Sequence, residues 1–400
     1  MRLKVGILAD YLEEGWPSMD LVADMLLDRL QREHPDTVEP MLIRPRFRRR
    51  FSRLPGVSRN TTLLVLDRVA NRHWDYPRNT RALAGRFDLF HVVDHSYAQL
   101  VHALPAERTL VTCHDLDAFR SVLDPEAEPR TAAFRAMTRR VLRGLRLAGH
   151  IACDSEATRD ALVQKAGIES SRTTVVHNGP HPSCTPEPEP AAELDAVRLL
   201  GPPGQTIDVL HVGSTIPRKR LDLVLSIAAR VMSSTPAVRL VRVGGPLTAA
   251  QRALARDLGI AGRIVHLPVL DRATLAAVYR RSAVLILPSE REGFGLPVLE
   301  ALACGTPVVA SDIPALREVG GQAVSYCALE DVGGWTATVA RLVDEPRRDA
   351  GQSRLRRERG VRRAQAFSWS HYARSVVAIY TRMAAAAACF WLPVLLREGC

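Results

Sequence analysis

The chain has 400 residues, 46% of them hydrophobic, so it is long enough for two domains that each bury a core. Its formal net charge of +11 favours an anionic partner: a nucleic acid, an acidic membrane surface or a phosphorylated substrate. The seven scattered cysteines include no C-x-x-C, which argues against a disulfide framework and a zinc site and indicates a reducing compartment.

The chain begins with an alternation of strands and a helix. Residues 4–9 form an apolar run that predicts a strand, and the run turns polar too soon for a signal peptide. A polar loop over 10–18 and an amphipathic helix over 19–30 follow, and 38–43 predicts a second strand. This order is typical of an α/β fold with a parallel sheet.

Two polar segments follow the second strand. Residues 44–53 interleave arginines with Phe47 and Phe51, which suits anionic lipid headgroups or nucleic acid and equally a solvated basic loop. Nucleic acid is the least favoured partner, because no recognition helix or RNA-binding motif accompanies the segment. Residues 67–78 are rich in polar and aromatic groups, so they could form a substrate surface or cap a helix. The candidates there are Tyr76 and Arg78.

Histidines stand at the ends of two predicted strands. The strand that starts at residue 87 leads into His95 and Tyr97, and the strand that starts at residue 109 ends at His114. In open parallel sheets, ligands bind outside the carboxyl ends of the strands. A lone histidine is more often structural than catalytic, but two at neighbouring strand ends favour a binding site.

A proline-rich segment divides the chain. The strands of the first half continue up to Asn178-Gly179, which predicts a turn. Alternating proline and glutamate over 186–190, followed by Gly201-Pro-Pro-Gly204, predict a linker over 183–206. We therefore place a first domain at 1–182 and a second at 207–367.

The second half restarts the alternation with a strand over 207–212. A loop follows in which the cationic pair Arg218 and Lys219 precedes a helix. Two cations between a strand and a helix N-terminus are well placed to neutralise a diphosphate. Two solvated surface bases are the less favoured alternative in that setting.

The most informative stretch runs from 283 to 310. It predicts a buried strand, a polar turn in which Gly293 and Gly295 let a ligand approach the backbone, a helix and another strand. Glu292 and Glu300 lie on the order of 12 Å apart at about 1.5 Å rise per residue, too far for a glycosidase pair. Either acid alone could simply favour the helix dipole or be solvated. Together they suit a long ligand with hydroxyls at both ends and phosphate between, such as a nucleotide sugar.

The segment from Glu292 to Glu300 resembles the E-x7-E motif of the retaining glycosyltransferases of family 4. The resemblance covers roughly residues 1–380 and is strongest over 207–320. It implies the GT-B fold, an α/β architecture of two Rossmann-like, doubly wound domains that face a central cleft. It also implies a crossover helix at about 368–383 that returns to the first domain.

The resemblance assigns roles to individual residues. It implies that Glu292 holds hydroxyls of the donor sugar, that Glu300 holds the ribose, and that His114 contacts the sugar from the first domain. The implied catalytic residues are His114, Glu292, Arg218 and Lys219. The implied donor-binding residues are Gly15, Gly213, Arg218, Lys219, Gly293, Phe294, Gly295, Leu296 and Glu300. The acceptor-side candidates are His95, Tyr97, Tyr76 and Arg78.

The implied activity is a retaining, metal-independent hexosyl transfer. The donor would be a nucleoside diphosphate sugar of the mannose or glucose type, and we expect no cofactor, no metal and no nucleic-acid partner. The acceptor would be a glycan or a lipid-linked molecule of cell-envelope or exopolysaccharide synthesis. The alternatives are a small soluble acceptor, a phosphorylase-like enzyme with pyridoxal phosphate, and a non-catalytic basic protein that binds membranes or nucleic acid.

Residues 384–400 have no counterpart in the resemblance. The apolar run over 383–396 contains Pro393 and is shorter than the roughly 20 residues that a spanning helix needs. It could be an interfacial anchor or an added helix packed on the body. We expect a cytoplasmic protein, with an anionic surface on the inner face of the cytoplasmic membrane as a candidate partner.

Overall fold

A computed structural model describes residues 2–53 and 61–390 of the chain. The chain divides into two compact units. Unit 1 comprises Met1–Asn178 and Trp369–Cys400, and unit 2 comprises Gly179–Ser368. Each unit contains one sheet of six parallel strands. The prediction of an α/β, doubly wound architecture is therefore confirmed.

Unit 1 is built on the first six strands of the chain. They are β1 (Leu3–Leu8), β2 (Val38–Ile43), β3 (Leu89–Val92), β4 (Thr109–Cys113), β5 (His150–Cys153) and β6 (Thr173–Val175). Their order in the sheet is β2-β1-β3-β4-β5-β6, so the strand order reverses between β1 and β3. The helices are α1 (Pro17–Glu33), α2 (Thr61–Ala70), α3 (Tyr76–Arg81), α4 (Arg120–Leu123), α5 (Ala132–Leu147) and α6 (Glu156–Ala166).

Unit 2 is built on the next six strands. They are β7 (Ile207–Val212), β8 (Val238–Val243), β9 (Ile264–Leu267), β10 (Val284–Leu287), β11 (Val308–Ser311) and β12 (Ser325–Cys327). Their order is β12-β11-β10-β7-β8-β9, which reverses between β7 and β10. The helices are α7 (Pro190–Leu200), α8 (Leu221–Ser234), α9 (Ala249–Asp257), α10 (Arg272–Arg281), α11 (Leu296–Ala303), α12 (Pro314–Gly320), α13 (Val332–Arg348) and α14 (Ala350–Ala364).

The central strands are apolar because helices cover both faces of each sheet. All four residues of β10, Val-Leu-Ile-Leu, are fully buried, and so are all five of β4. A strand that is buried on both faces shows no alternation of polar and apolar residues. This explains why continuous apolar runs predicted these strands correctly.

The segment that we expected to be a linker, 183–206, contains helix α7. Pro190 occupies the first turn of this helix, where the missing N–H costs nothing. Ala192, Ala196 and Leu200 of α7 are buried in the core of unit 2. The proline that suggested a stiff extended segment therefore marks the start of a packed helix.

The last helix, α15 (Trp369–Phe390), belongs to unit 1. Tyr380 of α15 is fully buried, and its hydroxyl lies 2.7 Å from Nδ1 of His91 in β3. The helix continues past residue 383, where we expected it to end, so residues 384–390 extend it. The rest of the predicted tail, 391–400, lies outside the described residues. None of the described helices is both long enough and apolar enough to span a bilayer.

Candidate active site

The strand order of unit 2 brings two distant loops together. β7 pairs with β10 in parallel, with Val209 opposite Val284, so both strands end at the same edge of the sheet. The loop after β7 carries Arg218 and Lys219, and the loop after β10 carries Glu292. This edge is also the point where the strand order reverses, which is where open α/β sheets bind ligands.

Direct ion pairs connect the two loops. Nζ of Lys219 lies 2.5 Å from Oε1 of Glu292, and a guanidinium nitrogen of Arg218 lies 3.4 Å from Oε2. The same nitrogen of Arg218 donates a hydrogen bond to the carbonyl oxygen of Arg291 at 2.7 Å. The cationic pair and the glutamate, which the sequence singled out in separate segments, therefore form one cluster.

Glu292 is a buried carboxylate. Burial alone would raise the pKa of this carboxyl, but the charges of Lys219 and then Arg218 lower it more, so the net pKa lies below its usual range. Lys219 is itself only 8% exposed. The cluster therefore holds fixed charges at the sheet edge, where they need little rearrangement to meet a charged ligand.

Glu300, the second acid of the predicted motif, lies in α11 and is 3% exposed. The hydroxyl of Tyr279 donates to its Oε2 at 3.1 Å, and Arg272 lies 3.6 Å from its Oε1. Burial raises the pKa of Glu300, although Arg272 and Tyr279 oppose the shift. The two glutamates therefore occupy different electrostatic environments, in keeping with separate predicted roles.

The residues between the two glutamates shape the turn. Gly295 has φ +99 and caps α11, and a Cβ there would lie 2.5 Å from a methyl group of Leu316, so only glycine fits. The ring of Phe294 is buried and packs edge-on against Phe367. Leu296 packs against the same core. The side chain of Phe294 thus belongs to the core, and that of Leu296 is partly buried against it.

His114, at the end of β4, is held by two acceptors within unit 1. Its Nδ1 lies 2.6 Å from Oδ2 of Asp154, and its Nε2 lies 2.8 Å from the carbonyl oxygen of Val93. Because both partners only accept, both ring nitrogens donate and the imidazole is protonated. Burial would lower its pKa, but the Asp154 carboxylate raises the net pKa to about 9. A donor-sugar contact through a ring nitrogen would require one of these bonds to break, so this role stays a prediction.

This arrangement predicts a pH-dependent stability. The pKa of His114 is about 9 in the folded protein against 6.5 as its ordinary value, so its contribution is complete below about pH 6.5 and is lost as the pH rises through 9. The shift corresponds to about 3 kcal/mol. We expect His114→Gln to flatten the decline of the unfolding free energy between pH 6.5 and 9, measured by urea denaturation. His102→Gln, at a hydrogen bond exposed to solvent, is the control. An unchanged slope in His114→Gln would contradict this account.

The other histidine, His95, lies beside His114. Nδ1 of His95 accepts a hydrogen bond from the backbone N–H of His114 at 3.2 Å. The ring is 5% exposed and packs edge-on against Phe119. Tyr97 is 1% exposed, with the Arg72 guanidinium 4.2 Å from its ring centre. The strand ends thus bring His95 and His114 together, while Tyr97 is buried in the core.

The remaining predicted residues of unit 1 are divided between the core and the surface. Tyr76 is fully buried, and its hydroxyl contacts the carbonyl oxygens of Ala9 and Ile43 at 2.8 and 2.9 Å. Arg78 is exposed and stacks on Trp74 at 5.2 Å. Gly15 is exposed and ends a short 3-10 helix.

The two polar segments of the first half bind each other. The guanidinium of Arg50 forms two hydrogen bonds of 2.7 Å with Asp75. The carboxylate of Asp67 accepts from the backbone N–H groups of residues 50, 51 and 52. Part of the basic segment 44–53 is therefore neutralised and fixed by the segment 67–78, which we had interpreted as a substrate surface or a helix cap.

Sequence reasoning missed a pair of acids at the edge of the unit 1 sheet. Asp10 follows β1 and is 3% exposed, and Asp94 follows β3 and is 4% exposed. Burial raises the pKa of Asp10 well above its usual range, and the nearby Asp94 raises it further. The carboxylate of Asp94, unlike that of Asp10, accepts a hydrogen bond from a backbone N–H group, that of Ser96, at 2.7 Å. The strand-end position that selected His95 could also have found these acids.

Within the described residues, no group of three or more histidine, cysteine, aspartate or glutamate side chains is arranged to hold a metal ion.

Two family models match the chain. Residues 198–357 match the model for glycosyl transferases group 1, and residues 21–183 match that for glycosyltransferase family 4. The chain is 34% identical over 248 residues to D-inositol 3-phosphate glycosyltransferase of Gordonia bronchialis, which covers 59% of this chain and 52% of that protein. The protein of the same name from Kineococcus radiotolerans is 28% identical over 335 residues, 79% of this chain and 73% of its own. The chain thus spans about half the length of the first of these relatives.

Solved structures share the fold. Sucrose-phosphate synthase from Thermosynechococcus elongatus aligns with a TM-score of 0.70 and 20% identity over 96% of this chain and all of that one. Anabaena Alr3699/HepE, in complex with UDP-glucose, aligns with a TM-score of 0.67 and 18% identity over 97% of this chain and all of that one. The predicted GT-B fold is confirmed.

Proposed function

The chain belongs to glycosyltransferase family 4, and from this premise we propose that it transfers a hexosyl group from a nucleoside diphosphate sugar to a small soluble acceptor. The observation that carries the proposal is the cluster of Arg218, Lys219 and Glu292 at the edge of unit 2 where the strand order reverses. It offers cations to a diphosphate and a carboxylate to sugar hydroxyls.

The donor is the better supported part of the proposal. Alr3699/HepE, which has the same fold, is described in complex with UDP-glucose. In this chain, the paired loops after β7 and β10 place two cations at the edge of the sheet where the strand order reverses. Glu300, beside Tyr279 and Arg272, would hold the ribose. The base and the sugar stay open.

The proposed reaction needs neither a nucleophile nor a proton acceptor from the protein. The bond between the anomeric carbon and the diphosphate oxygen breaks, and its electron pair passes to the diphosphate, whose charge Arg218 and Lys219 offset. The acceptor hydroxyl bonds to the anomeric carbon on the same face, and its proton passes to the leaving diphosphate. The anomeric configuration is retained. Because Arg218 and Lys219 offset the charge of the leaving diphosphate, we propose that the reaction needs no divalent metal.

The relatives favour a small acceptor over the glycan or lipid-linked acceptor of our main prediction. Both relatives are named D-inositol 3-phosphate glycosyltransferase, which describes a small phosphorylated polyol as acceptor. In unit 1, Arg50 and Arg44 of the basic segment already pair with Asp75 and Asp20. A lipid-linked acceptor and a membrane partner stay predictions without a specific observation in their favour.

A direct transfer assay tests the proposal. The protein is incubated with UDP-, GDP- or ADP-glucose or the corresponding mannose donors, together with myo-inositol 3-phosphate, with and without EDTA. We expect one donor to give a hexosyl-inositol phosphate, detected by mass spectrometry, at a rate that EDTA does not abolish. No transfer to myo-inositol 3-phosphate from any of these donors would overturn the proposal.

A further inference from the structure

Arg242 lies near the end of β8, and its side chain is fully buried. In the parallel register it stands opposite His211 of β7. Its guanidinium donates a hydrogen bond to the carbonyl oxygen of Gly213 at 2.9 Å and another to the carbonyl oxygen of Gly245. One buried side chain therefore ties the loop after β7 to the loop after β8.

The two loops touch through their backbones at this point. A Cβ on Gly244 would lie only 2.2 Å from the carbonyl oxygen of Gly213. Gly213 and Gly244 have φ angles of +154 and +137, which favour glycine. The loop after β7 is the one that carries Arg218 and Lys219. Its path therefore depends on the contact between Gly213 and Gly244, which the hydrogen bonds of Arg242 stabilise.

The charge of Arg242 lacks a carboxylate partner. In the part of the chain that the structure describes, no acid forms an ion pair with it, and its Nε has no hydrogen-bond partner. Burial lowers the pKa of Arg242 to about 10, so the group still carries its charge at neutral pH. A buried charge without a counter-charge is costly to the fold. An anionic ligand would offset that cost.

His211 shows that Arg242 belongs to the same charged cluster as the ion pairs. Its imidazole is fully buried, and neither ring nitrogen has a hydrogen-bond partner among the described residues. Burial, together with the charges of Arg242 and Lys219, lowers its pKa to about 3, and Glu292 opposes the shift. A neutral His211 thus lies among the charges of Arg242, Lys219 and Glu292.

We propose that Arg242 is a positioning residue of the donor site, which holds the loop of Arg218 and Lys219 in place and adds a buried positive charge that the donor diphosphate neutralises. This inference rests on the proposed function and deepens it. It means that the charge of Arg242, in addition to those of Arg218 and Lys219, contributes to the selection of a diphosphate. No motif in the sequence marks this residue.

Calorimetric titration of the whole chain with UDP, GDP and ADP, and with the matching nucleosides, tests the inference. We expect Arg242→Met and Arg242→Gln to weaken binding of the preferred nucleoside diphosphate about 10- to 100-fold, the range for a lost charge-assisted interaction. The nucleoside alone should lose less than about threefold. Arg242→Lys keeps the charge but not both hydrogen bonds of the guanidinium, so it should weaken binding less than the neutral variants do, by under about tenfold.

Arg239→Met is the matched control. Arg239 lies in the same strand but pairs with Asp208 at 2.6 Å, away from the glycine loops. This variant should lower the unfolding free energy and leave the preference for diphosphate over nucleoside unchanged. A purely structural role of Arg242 predicts the same result for Arg242→Met.

The outcomes separate the inference from the function it rests on. If the wild type binds none of the three nucleoside diphosphates, the proposed function fails and the inference with it. A second outcome is that the wild type binds one of these diphosphates and that Arg242→Met and Arg242→Gln bind it with the same affinity and the same preference over the nucleoside. In that case only the inference about Arg242 is overturned. Should both neutral variants fail to fold, Arg242→Lys decides: a loss of tenfold or more despite the retained charge overturns the role of charge.

Discussion

Glu292→Gln is expected to lower kcat by about 100- to 1,000-fold, the usual effect of removing one preorganised polar contact to the reacting group. The affinity for a nucleoside diphosphate should stay equal to that of the wild type or become tighter. The reason is that the amide removes a negative charge 2.5 Å from Lys219, which is then free to face the diphosphate. Steady-state kinetics and calorimetric titration of the same preparation measure both effects.

Glu290→Gln is the matched control, because Glu290 lies in the same loop and pairs with Arg220 at 3.7 Å and Arg291 at 3.3 Å. It should change kcat by less than about threefold, as expected for a pair that is open to solvent. Equal losses in Glu290→Gln and Glu292→Gln would mean that the loop as a whole matters and that Glu292 has no special role.

Lys219→Met is expected to act on binding first. It should weaken the affinity for the nucleoside diphosphate and raise KM for the donor by about 10- to 100-fold, because a charge-assisted contact to phosphate is lost. It should also lower the unfolding free energy by about 3 kcal/mol, since it removes one partner of a buried ion pair and leaves Glu292 with Arg218. Donor kinetics and urea denaturation test the two parts separately.

Arg220→Met serves as the control for Lys219→Met. Arg220 is the next residue, and it pairs with Asp222 on the exposed side of the loop at 2.8 Å. Its loss should leave KM for the donor within about twofold, because exposed pairs contribute little. If Lys219→Met kept the donor KM of the wild type, the cationic loop would not be the diphosphate site.

The unit 2 cluster could be predicted from the sequence because its parts lie at strand ends. Arg218 and Lys219 follow β7, whose four central residues are buried, and Glu292 follows β10, which is a fully buried apolar run that is easy to recognise. The strand order that joins their loops could not be derived from the runs alone. It entered through the resemblance to family 4, whose fold places both loops at one edge.

The roles of residues that are buried in the core could not be predicted from the sequence, for a physical reason. Arg242 follows valine and leucine in a strand, where an arginine gives no sign that its guanidinium reaches the next loop. Tyr76 was predicted as a surface residue because its neighbours are polar, yet its hydroxyl satisfies two carbonyl oxygens in the core. Which side chain turns inward depends on tertiary contacts that local composition does not contain.

His114 shows a different limit. The sequence correctly placed it at a strand end beside His95. It gave no sign of Asp154, which follows the next strand of the sheet and whose carboxylate accepts a hydrogen bond from the ring. The protonation state, and with it the predicted pH dependence of stability, could be inferred only once the acceptors on both sides of the ring were known.

A crystal structure of the protein with the nucleoside diphosphate that it binds most tightly tests the central claim most directly. We expect the diphosphate oxygens to lie within about 2.7–3.2 Å of Arg218 and Lys219, with Glu300 at the ribose. A nucleotide bound elsewhere, or phosphates that face away from the loop after β7 while Lys219 stays paired only with Glu292, would contradict it.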